Sequence, residues 1–361
     1  MKIDALLTEL LNARGPGGQE DEVRAICLRE LGRLCDDTHI DAAGNVVGVI
    51  RAGLACNPQA AIRVMAHLDE IAMIVKNVHE NGTLEVLALG GAQPISFGVC
   101  PVDILGDEQI LPGVLSYGSM HSSGRTANGS DVLAGNVQWK DVHVVTRRTR
   151  QELQKSGVRP GTRVVLSQHW RRPFKVQDCV AAHFLDDRAP ISAVILCAQL
   201  LSERRAALKQ DVWFVLTTLE EESNAGAMYA ASRLPGDTTI AVEVGPVLDE
   251  YGTELSVDPI INTGDQKGYY SRTVVQGLIA AGRRAGYAPQ AALLVDFASD
   301  ASAVLSAGIA ARAGCIAIPT ENTHGFEMVL LDGISACAET LTEFLLGRQD
   351  ECHEANDPTS L

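Results

Sequence analysis

Residues 212–227 read VWFVLTTLEEESNAGA. Val212 to Leu216 are apolar at every position, without the alternation of a strand that keeps one wet face. A strand apolar on both sides belongs inside a sheet covered by layers above and below. The run stops at three consecutive acids, Glu220, Glu221 and Glu222, and a helix-like AGAMYAASRL (225–234) follows. Strand, polar stop and helix make the repeating unit of an α/β fold, whose functional side chains gather where strands end.

The same unit recurs along the chain. RVMAHLDE (63–70) is strand-like and delivers His67 and Asp69. In AAHFLDDRAP (181–190), Asp186 precedes the helix-patterned APISAVILCAQLLSERRA (189–206). TIAVEVGP (239–246) carries Glu243 between two valines, and in CIAIPTENTHGFE (315–327) the apolar run is followed by His324. Helical periodicity also predicts helices over 270–286, 301–308 and 331–347, and strands are expected over 291–298 and 311–319. At the N-terminus two helices are expected, Ile3–Leu11 and Glu20–Leu34, joined by the turn-rich GPGGQEDEVR (15–24).

Between these two parts the texture changes. From about residue 77 to 177 short β-type stretches alternate with Gly/Pro turns: GTLEVLAL, FGVCPVDIL, LPGVLSYG, DVHVVT and GTRVVLS. The expected organisation is a discontinuous α/β domain, residues 1–76 and 178–361, with a small β-rich domain, 77–177, inserted into it. His121, in YGSMHSSGR (117–125), is read as part of a surface turn of this insert.

Bulk composition narrows the function. The chain has 361 residues and a formal net charge of −15. Nucleic acid and anionic membrane surfaces are therefore excluded as expected partners, because both are bound through an excess of Lys and Arg. Hydrophobic residues make up 46% but aromatics only 4%, which suits tightly packed α/β layers. The nine cysteines are scattered without a CxxC pair, so reduced thiols and a cytoplasmic location are expected. MKIDALLTELLNARG lacks the apolar core and cleavage site of a signal peptide. No run reaches the roughly 18 apolar residues of a membrane span.

Taken singly, the polar stops are ambiguous. His67 after an apolar strand reads equally as a structural histidine. The Asp pair of LDDR (185–188) reads as a helix cap, and Glu220-Glu221-Glu222 as a solvated turn. Glu243 is different, because an unpaired carboxylate within an apolar run is costly and calls for a cation. The set is also different from its members. Five candidate ligands, His67, Asp186, Glu221, Glu243 and His324, fall at five strand ends, and none is a cysteine. This donor mixture suits two divalent metals that share a carboxylate. One metal takes His67, Asp186 and Glu243, and the other takes Asp186, Glu221 and His324. Asp69, two residues beyond His67 in an extended segment, is expected to hold the second imidazole nitrogen. Glu220 is expected to act as the general base toward a hydroxide between the metals.

At this point the chain resembles the M42 family of metallo-aminopeptidases, the glutamyl and deblocking aminopeptidase group. The resemblance rests on GPGGQEDEVR (15–24), DAAGNVV (41–47), AHLDEIAMIV (66–75), LDDR (185–188), EEESNAGA (220–227), VEVGP (242–246), ASDASAV (298–304) and THGFEMV (323–329). It implies a three-layer aminopeptidase fold with an inserted β-barrel-like dimerisation domain and two metal ions per subunit, Zn or Co. It also implies peptide substrates with a free N-terminus, and homo-oligomers built from dimers, up to dodecamers. The family's ligand roles fall on His67, Asp186, Glu221, Glu243 and His324, and its base on Glu220. Glu243 stands where the family usually has Asp, and Glu222-Ser223 where it has a small apolar residue and Gly. Rival readings are an M20-like deacylase or carboxypeptidase and a non-catalytic oligomeric binding protein on the same scaffold. A metal-free glycosidase using two carboxylates leaves both histidines without a role. The β-rich stretch lies between His67 and Asp186, not before the final His, and this favours the aminopeptidase over the deacylase.

Overall fold

The computed structural model describes residues 2–53, 57, 60–119 and 137–347. His121 lies outside them. The centre is an eight-stranded mixed sheet in the order Asp37–Ile40, Val46–Ile50, Val212–Thr217, Ile62–His67, Thr238–Pro246, Arg312–Thr320, Ile260–Asn262, Gln290–Ala292. Four central strands are mutually parallel: Val212–Thr217, Ile62–His67, Thr238–Pro246 and Arg312–Thr320. Their carboxyl ends therefore open on one edge of the sheet.

The apolar run Val212–Leu216 is buried on both faces. Phe214 and Leu216 pack on one side with Val64, Ile240, Val242 and residues of the helix Leu185–Glu203. Val215 faces the other side, with Val47, Met65, Ala227, Ala230 and Val304. The first layer also holds the helices Ile3–Asn12, Asp21–Leu31, Arg272–Arg284 and Leu331–Leu346, and the second holds Ala225–Ala231 and Asp300–Ser306. No helix among the described residues is long and apolar enough to cross a membrane. Cys27, Cys197, Cys315 and Cys337 are buried free thiols.

The β-rich segment closes into a six-stranded antiparallel barrel. Its order is Ala72–Val78, Leu84–Leu89, His143–Val145, Ile110–Ser116, Pro101–Leu105 and Arg163–Leu166, which returns to Ala72–Val78. It has its own core of Met73, Val86, Val102, Ile104, Leu111, Val144 and Val164. The chain then re-enters through Phe174–Val176 and Cys179–Ala182, and the latter pairs with Glu327–Leu330.

Two expectations need correction. The second N-terminal helix is shorter than expected and ends at Leu31. Residues 291–298 do not form one long strand, because pairing covers only Gln290–Ala292. The neighbouring strand, Ile260–Asn262, itself ends after three residues and offers no further ladder. Beyond it, the Leu294 N–H donates to the Gly264 carbonyl, and the chain runs outward to the rim of the site.

Candidate metal centre

His67 is the last residue of its strand and lies opposite Thr217 in parallel register. After Thr217 the chain turns sharply at Leu219 (φ 57), makes one helical turn over Glu220–Ser223, and turns again at Asn224 (φ 54). Asp69 fixes this turn. Its two carboxylate oxygens accept the backbone N–H groups of Glu220 and Glu221, both at 3.0 Å. The imidazole contact expected of Asp69 comes mainly from its backbone. His67 Nδ1 lies 3.1 Å from the Asp69 carbonyl oxygen and 3.7 Å from Oδ1. His67 Nε2 is thereby aimed into the site, 2.9 Å from Asp186 Oδ1 and 3.8 Å from Glu243 Oε2.

Asp186 sits where the strand Cys179–Ala182 gives way to the long helix. Phe184 turns the chain (φ 68), and Asp186 and Asp187 are not helical. The Asp186–Asp187 peptide bond is cis. Asp187 Oδ2 accepts the His67 N–H at 2.8 Å, whereas its buried Oδ1 has no hydrogen-bond partner. Pro190 falls in the first turn, where its missing N–H costs nothing.

A second carboxylate clamp mirrors that of Asp69. Glu327, buried, accepts the N–H of Asp186 through Oε2 and the N–H of His324 through Oε1, each at 3.0 Å. His324 (φ 61) is held with Nε2 3.5 Å from Asp186 Oδ2 and 3.7 Å from Glu221 Oε1. Glu243 enters from the strand Thr238–Pro246 and is buried. Five of the seven described non-glycine residues with positive φ (Phe184, Leu219, Asn224, Asn322, His324) flank these groups. Backbone cost concentrated in this way is typical of functional sites.

Two ligand sets result, and Asp186 belongs to both. His67, Asp186, Asp187 and Glu243 form one, and Asp186, Glu221 and His324 the other; within each set one ligand atom per residue lies within 4.8 Å of the rest. Burial, followed by repulsion from Asp186, pushes Glu221 up to about 7. Burial and neighbouring acids push Glu220, Glu243 and Asp187 well above the usual carboxylate range. Burial would lower His67, but Asp187 and Asp186 raise it well above its ordinary value. Burial likewise opposes the charged form of His324, but Asp186 and Glu221 raise it to about 10. Oxygen and nitrogen donors without sulfur, an excess of buried acids and an orphaned Asp187 oxygen fit a pair of divalent cations.

Nothing in the sequence singles out Glu327, Asn224, Lys267 or Asp300, and Asp187 reads there only as half of a helix cap. Glu327 stands three residues after His324, where it reads as an ordinary acid at a strand start. The barrel side also reaches the site. A Cβ on Gly91 would lie 2.7 Å from His324 Cε1, and one on Gly90 2.9 Å from Glu221 Cβ. Gly91→Ala is expected to displace His324 and lower metal affinity by about tenfold, as loss of ligand support does elsewhere. Activity titrated against added metal checks this; an unchanged titration midpoint would show that the loop yields instead.

The centre lines a cavity of about 520 Å³, whose wall also includes Val244, Leu248, Tyr251, Lys267 and Phe297. With this geometry in hand, the similarities to known proteins are specific. The lysyl aminopeptidase of Pyrococcus furiosus is 25% identical over 270 residues, covering 71% of this chain and 74% of the relative. A TET aminopeptidase from a marine sediment thaumarchaeon superposes with a TM-score of 0.87 at 21% identity, covering 98% of both chains. The TET1 peptidase of Pyrococcus horikoshii, which assembles into a tetrahedron or a large octahedral shell, gives 0.82 at 21% identity, covering 95% of this chain and 99% of that one. The sequence model of the M42 glutamyl aminopeptidases matches residues 44–340, and the chain belongs to that family.

Proposed function

We propose that the chain is a binuclear metal-dependent aminopeptidase that releases N-terminal residues from peptides. His67, Asp186 and Glu243 would hold one divalent cation and Asp186, Glu221 and His324 the other, with Zn or Co as the metal. When bound, such cations polarise a scissile carbonyl and acidify water. Glu220, on the turn held by Asp69, takes the proton from the attacking water and returns it to the leaving amine. Asp69 and Glu327 act on the backbone, keeping both ligand-bearing turns in register with the strand ends. The observation that carries this reading is the pair of ligand sets sharing Asp186, with Glu220 beside Glu221 at the same strand end.

Self-association through the barrel belongs to the same proposal. Leu87, Ile95, Val99, Ile110 and Val114 are exposed apolar side chains on the inserted segment, Ile95 at 80%. The shells formed by the Pyrococcus horikoshii relative support the same reading.

Metal analysis, light scattering and hydrolysis of an aminoacyl panel, before and after chelation, test the reading together. The expected result is two divalent ions per subunit in a dimer-based oligomer. Free-amine substrates should be cleaved, and N-acylated ones should not. Activity should be lost to chelator and restored by Zn or Co. Preference for N-acylated substrates would move the chain toward the deacylases. Undiminished hydrolysis in chelator would sink the metal mechanism.

A further inference from the structure

We propose that Asn224 is a positioning residue for Glu220, with its amide oriented by Lys267 and Asp300; this rests on Glu220 being the general base. Asn224 is buried, and its side chain makes three polar contacts. Nδ2 donates to Glu220 Oε1 at 2.7 Å and to Asp300 Oδ1 at 3.1 Å, and Oδ1 accepts from Lys267 Nζ at 3.0 Å. An ammonium can only donate, and ionised carboxylates can only accept. All three contacts therefore select the same orientation of the amide, and the flipped one would oppose each of them.

The supports of Asn224 are themselves anchored. Asp300 Oδ2 accepts from Thr217 Oγ1 at 2.5 Å, on the strand that leads to Glu220. Ser299, beside Asp300, shares a hydrogen bond of 2.6 Å with the Tyr270 hydroxyl, which donates to Asp265 Oδ2 at 2.8 Å. Asp265 Oδ1 accepts the backbone N–H of Lys267 at 2.9 Å, which brings the network back to the residue holding Asn224. A ring of contacts thus joins the hairpin at 264–269, the start of the helix Asp300–Ser306 and the acid turn.

Asn224 also has a plain structural reason to be there. Its φ of 54 is left-handed, and Asn tolerates that region better than most residues. Glycine would satisfy the backbone as well, so the backbone alone does not explain the three side-chain contacts. Holding Oε1 of Glu220 fixes the carboxylate plane and leaves Oε2 as the oxygen for proton transfer. Geometric control of this kind acts on kcat, because it sets the reacting geometry and not the affinity for substrate.

Asn224→Gly keeps the left-handed turn and deletes the amide. With the best substrate from an aminoacyl-p-nitroanilide panel, kcat is expected to fall about 100-fold, with KM and metal content unchanged. Lys267 is exposed, so replacing it does not threaten the fold, and it supplies a second measurement should Asn224→Gly fold poorly. Lys267→Met is expected to lower kcat about tenfold, and Lys267→Arg, which keeps a donor, to restore most of it. Glu220→Gln is run alongside. If it is inactive while Asn224→Gly and Lys267→Met keep wild-type kcat, the positioning role is overturned and the base survives. If Lys267→Met raises KM at unchanged kcat, Lys267 is a substrate contact and the positioning network is overturned. If Glu220→Gln turns over normally, the base assignment fails and this proposal falls with it.

Discussion

Glu220→Gln is expected to lower peptide hydrolysis by about 10²–10⁴-fold while metal content stays at the wild-type level. The substitution keeps the size and most of the hydrogen bonding of the side chain but removes its capacity to take a proton. Glu220 is not among the residues whose ligand atoms cluster closely enough to hold a cation, whereas the adjacent Glu221 is. The backbone N–H of residue 220 still reaches Asp69, so the turn that presents Glu221 survives the change. Steady-state kinetics on a free-amine substrate, with metal measured on the same sample, separates the two roles. Loss of metal together with activity would make Glu220 a ligand. Wild-type turnover with metal retained would remove it from the mechanism.

What the sequence disclosed about this centre depended on how locally each feature was encoded. The strand Val212–Thr217 was legible because a run apolar on both faces has few other uses. Glu243 was legible because a carboxylate inside such a run must be accounted for, whereas His67 and Glu221 stood out only as members of a set of strand-end donors. The clamps were not legible. Asp69 caps a turn some 150 positions away in the chain, and Glu327 joins the Asp186 turn to the His324 loop. No periodicity records contacts of that separation. Asn224 was hidden by a second, sufficient explanation, since an Asn in a turn arouses no suspicion. The strand expected over 291–298 failed for a related reason. Its apolar composition was right for a strand, but its partner, Ile260–Asn262, is three residues long.

Next to the candidate metal centre lies a group whose loss should be felt through the whole domain. Glu70→Gln is expected to destabilise the fold by about 3–5 kcal/mol, the usual cost of breaking a buried ion pair. Glu70, Arg171 and Arg188 are all fully buried. Arg171 grips both Glu70 oxygens, at 2.8 and 2.5 Å, and Arg188 Nη2 donates to Oε2 at 2.6 Å. The guanidinium groups reach further. Arg171 donates to the carbonyls of Leu11 and Ala13, at the end of the first helix, and stacks over the Phe184 ring at 4.4 Å. Arg188 donates to the Leu68 carbonyl at 2.6 Å, directly after His67. One carboxylate thus balances two cations that tie the N-terminal helix, the strand end bearing His67 and the turn bearing Asp186. Gln keeps the shape and leaves both cations without a counter-charge, so the loss exceeds that of the hydrogen bonds alone. Urea denaturation of the variant, compared with wild type at equal slope and metal content, reads the effect as a lowered midpoint. A midpoint corresponding to less than about 1 kcal/mol of destabilisation would mean that water or a neighbouring carbonyl replaces the carboxylate, and that the triad is not the anchor of these three segments.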